Sequence, residues 1–167
     1  MRRLLLLTRH AESGWDGAPA NDHDRTLTAR GQRQADRLGA RLLQQQLAPE
    51  VIISSTAVRA DETAGRVRRA LPTTPIVQRV QALYQGGMAA LRDAVEPLPN
   101  HVGAIMVVGH NPAMSAVASR LAGRPLSLHT ATCVALRCAA DSWQEAFDAP
   151  WQLLSVHHAD TPSQEEA

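Results

Sequence analysis

Three short stretches of this 167-residue chain carry side chains suited to acting on an anion. An apolar run breaks off in Thr8-Arg9-His10. Ser54-Ser55 is followed by Arg59, and Ala104 to Val108 runs into Gly109-His110-Asn111-Pro112. Guanidinium groups grip oxyanions through charge-assisted N–H donors, and a neutral imidazole is a nitrogen nucleophile. The ordinary imidazole pKa of about 6.5 leaves it mostly neutral at pH 7, and a guanidinium alongside lowers that value further. Two arginines and two histidines meeting at one place, with a helix starting after His110, would form a compact phosphoryl site. Phosphoryl transfer spreads charge over three equatorial oxygens, so its catalysis is mainly positioning and electrostatics. Each charge-assisted hydrogen bond contributes about 1.5 to 3 kcal/mol.

The elements between these stretches must bring them together. Leu4 to Thr8, Val51 to Ser55 and Ala104 to Val108 are short continuous apolar runs, the pattern of strands buried on both faces. Glu12 to Asp24, rich in Gly, Pro, Asn and Asp, reads as a loop. Thr28 is placed to cap a helix running to about Gln46, and Pro49 ends it. Further helices are expected over Ala57–Ala70, Met88–Val95 and from Pro112 to Leu121, a short strand at Ile76-Val77, and late strands over Val134–Cys138 and Trp151–Val156. Strands alternating with helices predict a three-layer α/β/α sandwich with a mostly parallel central sheet. In such sheets ligands bind beyond the carboxyl ends of the strands, where Arg9, His10, Ser55 and His110 would lie.

The bulk properties restrict the choice. The length suits one domain, expected over residues 1–158, with a polar, disordered tail over 159–167. An aromatic share of 3% calls for a core of Leu, Val, Ala and Ile. A net charge of +1 argues against a nucleic-acid partner. All 17 basic residues are Arg, so an arginine here is not special for its type, and position must single it out. Cys133 and Cys138 match no zinc or redox spacing and read as small core residues in a reduced, cytoplasmic setting. The apolar run after Met1-Arg2-Arg3 is too short for a signal peptide, and no transmembrane stretch is expected.

In order along the chain, "RHAESGWD", "NDHDRTLTARGQRQADRLG", "VIISSTAVRADETA" and "VVGHNPAMSAVASRLAG" resemble the histidine phosphatase superfamily, the phosphoglycerate mutase-like enzymes, and within it the SixA-type phosphohistidine phosphatases. The likeness runs from about Leu4 to Gly123 and continues weakly through "LHTATCVAL". It implies a phosphoglycerate mutase-like fold and hydrolysis without metal or other cofactor. His10 would be the nucleophile, phosphorylated during turnover, and Arg9, Arg59 and His110 would hold the phosphoryl oxygens. Arg25 falls where this branch has another arginine facing the pocket; the alternative is an ion pair with Asp22 or Asp24. The bland reading of Arg59 is a solvated helix arginine, and that of His110 a cap on the following helix.

Many phosphomonoesterases of the superfamily carry an acid downstream of the second arginine, but no carboxylate lies near Leu83-Tyr84-Gln85. Glu12 and Asp24 are the remaining candidates, if the loop folds over the pocket. A site without a dedicated acid favours a good leaving group, hence phosphohistidine. The expected partner is a phosphorylated protein, such as a histidine phosphotransfer domain recognised by the Ser13–Asp24 loop and the "YQGG" turn. The alternatives are a small phosphorylated metabolite, or a phosphoryl-binding module without turnover. The oligomeric state is open at this level.

Overall fold

Six strands form one sheet in a computed structural model that describes residues 1–160. They are β1 (Arg2–Arg9), β2 (Val51–Ser55), β3 (Ile76–Val80), β4 (Ala104–Gly109), β5 (Thr132–Ala139) and β6 (Gln152–His158), in the spatial order β3-β2-β4-β1-β5-β6. β3, β2, β4 and β1 are parallel, and β5 runs against both of its neighbours. The mostly parallel sheet expected from the sequence is therefore present, with β1 and β4 at its centre.

Side chains alternate across a strand, so the Leu run of β1 feeds two cores. Leu6, with Ile52, Met106 and Val108, packs under helices α1 (Ala29–Gln44) and α2 (Val58–Ala70). Leu5 and Leu7, with Ile53, Ile105 and Val107, pack under α3 (Met88–Val95), α4 (Ala113–Ala122) and the short α5 (Trp143–Ala146). This is the three-layer arrangement, and it explains why the central strands are apolar throughout rather than alternating.

α1 starts as its sequence predicts: the Thr28 hydroxyl accepts from the Gly31 amide at 3.0 Å. Its apolar stripe of Ala35, Leu38 and Leu42 is fully buried. At its first turn α1 lies directly on the chain leaving β1: a Cβ at Gly31 would stand 1.9 Å from the Glu12 carbonyl oxygen, so only glycine fits.

Two 3-10 turns, Asp22–Asp24 and Gln81–Tyr84, and α5 were not expected. Ser142 caps α5 by accepting from the Glu145 amide at 3.1 Å, and the Ser-x-x-Glu pattern was a readable signal for it. Of the tail expected from Ala159, the first two residues make defined contacts. Ala159 is buried, and Asp160 accepts from Gln34 and Arg30 at 2.9 and 2.8 Å. Residues 161–167, where the rest of that expectation falls, lie outside the described residues. No helix among the described residues is long and apolar enough to cross a membrane.

Candidate active site

The carboxyl ends of β1, β2 and β4 lie side by side, with Arg9 in register with Gly109 and Ser54 with Val108. The His10 amide continues the ladder to the Gly109 carbonyl at 3.0 Å. From the far side the Ala131 amide donates to the Arg9 and His10 carbonyls, both at 3.1 Å. The His10 backbone is thus held between β4 and the segment entering β5.

His10 Nδ1 lies 2.7 Å from the Ala11 carbonyl, which can only accept, so the proton sits on Nδ1 and Nε2 carries the lone pair. Arg59 Nε donates to that Nε2 at 3.3 Å. Arg59 reaches it from the first turn of α2, and Thr63 sets the approach: its hydroxyl donates to the Arg59 carbonyl at 2.7 Å and accepts from the Ala11 amide at 3.0 Å. The His110 ring is tilted against that of His10 with centroids 5.1 Å apart, and its Nε2 lies 2.8 Å from Ser55 Oγ. Arg9 Nη1 donates to the Leu128 carbonyl at 3.2 Å. Asn111 secures the start of α4: its Nδ2 donates to the same carbonyl at 2.7 Å and its Oδ1 accepts from the Ser115 hydroxyl at 2.8 Å. Arg9 Nε and His110 Nδ1 are buried without a hydrogen-bond partner.

The structure therefore brings His10, Arg59, His110 and Arg9 together, while Arg25 joins them only at one remove. Its Nη1 donates to Asp22 Oδ1 at 3.0 Å and its Nη2 to Ser13 Oγ at 2.9 Å, and its guanidinium stacks 4.8 Å from the ring centre of the exposed Trp15. Both carboxylates considered as acids point elsewhere. Glu12 accepts from Thr28 and Arg30 at 2.9 and 2.8 Å, and Asp24 pairs with His23 on the surface at 3.4 Å. Two residues that sequence reasoning missed complete the site. Asp22 accepts from Arg59 and Arg25, and Tyr84 donates to Asp22 Oδ2 at 2.5 Å while standing edge-on to His110 at 5.4 Å. Among the described residues no cluster of three or more His, Cys, Asp or Glu could hold a metal ion.

Burial is the main reason that the His10 imidazole is pushed down to about 3, with the nearby His110, Arg59 and Arg9 adding to it and the Ala11 carbonyl opposing. His110 falls to about 4, again chiefly through burial and then through Arg59. The direction agrees with the reading from neighbouring guanidinium charge, but desolvation leads. Asp22 is held well below the ordinary carboxylate range, first by the Tyr84 hydroxyl and then by Arg25 and Arg59.

A pH dependence follows. Because both folded-state values lie below the unfolded one, the unfolded chain binds more protons between about pH 6.5 and pH 4, and stability falls as pH drops through that window. For activity, kcat/KM corrected for titration of the substrate is expected to hold down to about pH 4, where an exposed histidine would already have failed by pH 6. A rate profile against pH checks this; an acid limb centred near 6.5 would contradict it.

Comparison with known proteins gives the family and the fold. Residues 5–83 match the model of the histidine phosphatase superfamily, branch 1. An uncharacterised chloroplastic protein of Arabidopsis thaliana is 31% identical over 155 residues, covering 87% of this chain and 71% of the relative. A solved structure described as a candidate phosphohistidine phosphatase SixA from Nakamurella multipartitia superposes with a TM-score of 0.84 at 26% identity, covering 96% of this chain and 98% of that one. The protein histidine phosphatase SixA complexed with tungstate shares the fold at a TM-score of 0.74 and 19% identity, over 95% and 97% of the two chains. On these matches the chain belongs to the histidine phosphatase superfamily, in its first branch.

Proposed function

We propose that the protein is a phosphatase that hydrolyses protein phosphohistidine through a phospho-His10 intermediate, with no metal taking part. The observation that carries the reading is His10 itself: its Nε2 is free of a proton, buried, and faced by the Arg59 guanidinium. Nε2 attacks phosphorus as the bond to the leaving nitrogen breaks, and the departing imidazole takes up a proton from solvent, matched by the proton that the attacking water gives up in the second step. Water then attacks phosphorus, the P–Nε2 bond breaks, and inorganic phosphate leaves with neutral His10 restored. Arg59, Arg9 Nε and His110 Nδ1 stabilise the equatorial oxygens through both steps, in a buried setting where such contacts are strongest.

The choice of phosphohistidine over an alkyl phosphate rests on what surrounds the leaving group. Beside His110 lies a groove of about 460 Å³ lined by Tyr84, Gln85, Gly87, Asn111, Pro112, Ala113 and Ala116, with no carboxylate among them. Asp22, the carboxylate nearest to Arg59 and His110, is ionised and bonded to two arginines, so it holds no proton to give an alkoxide. A leaving imidazole needs less proton assistance, which matches a site of this kind.

A substrate panel tests the reading. Turnover of a phosphohistidine peptide is expected to exceed that of sugar phosphates by about 100-fold or more in kcat/KM, an energy difference of about 3 kcal/mol. Among aryl phosphates the rate should climb steeply as the leaving phenol becomes more acidic. A preference for sugar phosphates, or a flat dependence on leaving group, would overturn the choice of substrate.

A further inference from the structure

Arg59 touches His10 through Nε alone, and both terminal nitrogens of its guanidinium are turned to Asp22. Nη1 donates to the Asp22 carbonyl at 2.7 Å and Nη2 to Asp22 Oδ2 at 2.9 Å. We propose that Asp22 is a positioning residue for phosphoryl transfer: it locks the end of the Arg59 fork so that the side edge, Nε–H with the second Nη2–H, faces the oxygens of a phosphoryl group at His10 Nε2. This rests on Arg59 being a phosphoryl ligand.

The planarity of the guanidinium carries the argument. Its five N–H bonds lie in one plane, so fixing two nitrogens of one edge fixes the direction of the other. The end edge is occupied by Asp22 and the side edge already points at the nucleophilic nitrogen. Asp22 therefore does not stand where the anion must bind; it determines where Arg59 can aim.

Asp22 is itself held from several sides. Tyr84 and Arg25 bond its two carboxylate oxygens, and its carbonyl also accepts from the Arg25 amide at 3.2 Å, closing the 3-10 turn. The Asn21 side chain accepts from the Asp24 amide at 3.1 Å and caps the same turn. Arg25 thereby acts on the site through Asp22. Arg9, Arg25 and Arg59 leave the cluster positive after one carboxylate is counted, so a phosphoryl dianion is still attracted. The Arg59 side chain is only 7% exposed while that of Asp22 is 45% exposed. An ion pair half in water contributes little to stability, which makes orientation its main effect.

The test is a double-variant cycle on the full chain: wild type, Asp22→Ala, Arg59→Ala and the double variant, with Asp22→Asn and Tyr84→Phe as graded companions. Two quantities are read, kcat and KM for a phosphoramidate, and the dissociation constant of orthovanadate, whose five-coordinate adduct resembles the transferring phosphoryl group. Asp22→Ala is expected to lower kcat about 30- to 100-fold with KM moving less than about 3-fold, at nearly unchanged thermal stability. Both variants keep the backbone acceptor, but Asp22→Asn also keeps one side-chain oxygen and should recover about 10-fold of the loss. In the Arg59→Ala background, Asp22→Ala should change vanadate affinity by less than about 2-fold, since it acts through a side chain already removed. Equal losses in both backgrounds, or wild-type kcat in Asp22→Ala, would overturn the proposal. If Asp22→Ala does not fold, Tyr84→Phe decides: a kcat loss of about 3- to 10-fold that disappears with Arg59 supports the proposal, and one that persists overturns it. A wild type inert toward every phosphorylated substrate would remove the phosphatase reading, while the vanadate cycle still settles the role of Asp22.

Discussion

His10→Ala is expected to lose turnover by about 10⁴-fold or more, because it removes the atom that bonds to phosphorus and no second nucleophile faces the same place. Among the described residues only His110 places an imidazole against that of His10, and its Nε2 is engaged by Ser55. The folded state should survive the change. The lost ring is small, and one of its contacts, from Arg59 Nε, brings a cation against a group that burial already keeps uncharged. The decisive measurement is covalent. Wild type briefly exposed to a labelled phosphoramidate and quenched should carry a phosphoryl group that is labile in acid and stable in alkali, as expected of an N-phosphorylated imidazole. His10→Ala should carry none. Label on the variant would show that another residue is the nucleophile, and binding of vanadate without labelling of wild type would point to a module that recognises phosphoryl groups without turning them over.

The second large effect lies at the opposite end of β1. Arg3 is completely buried and donates to the carbonyls of Ala140, Asn100, Val102 and Asp141, with the Trp143 ring 5.5 Å from its guanidinium carbon. Val102 has a second donor in Trp143 Nε1 at 2.8 Å. Arg3→Met fills most of the volume but removes the side-chain donor from three carbonyls that have no such substitute. At about 1 kcal/mol or more for each unmade bond, the expected loss is about 3 kcal/mol of unfolding free energy, measured as the shift of a urea midpoint. Since Arg3 is seven residues from His10 along a strand of about 3.3 Å per residue, kcat at a temperature where the variant is folded should stay near wild type. A stable variant would mean that water reaches those carbonyls and replaces the guanidinium.

Which features were legible follows from their range. The central strands were readable because continuous Leu, Ile and Val runs have one environment that suits them, a sheet covered on both faces. The start of α1 was readable because Thr28 caps the helix that begins at the next residue, whereas Pro49 stands five residues beyond the last residue, Gln44, and limits the helix without fixing its end. His10, Arg9 and His110 follow from the rule that parallel strands deliver their next residues to one edge, and Arg59 from the start of the helix after β2. Asp22 and Tyr84 could not be found this way. Their partners lie 37 and 62 residues apart, and an aspartate in a Gly- and Asp-rich loop looks the same whether it meets water or a guanidinium. Arg3 was hidden for a related reason: with Met1 and Arg2 it was weighed only as the charged start of a signal peptide, and only the carbonyls of Ala140 and Asn100 closing on it make a buried cation tolerable. Arg25 illustrates how two readings can share one residue, since it forms the ion pair with Asp22 and through that pair adjoins the pocket.

β1 runs between β4 and β5, so the backbone that presents His10 is laced on both sides, whereas Asp22 rides on a turn that sheet bonds do not hold. Breathing of the molecule is thereby divided. Surface turns open more cheaply than the middle of a sheet, so the turn carrying Asp22 relies for its place on the side-chain bonds to Arg59, Arg25 and Tyr84, whereas the reacting nitrogen does not. Placing the nucleophile and aiming the guanidinium are separate mechanical tasks in this fold, and a change that loosens the turn disturbs the second while leaving the first intact.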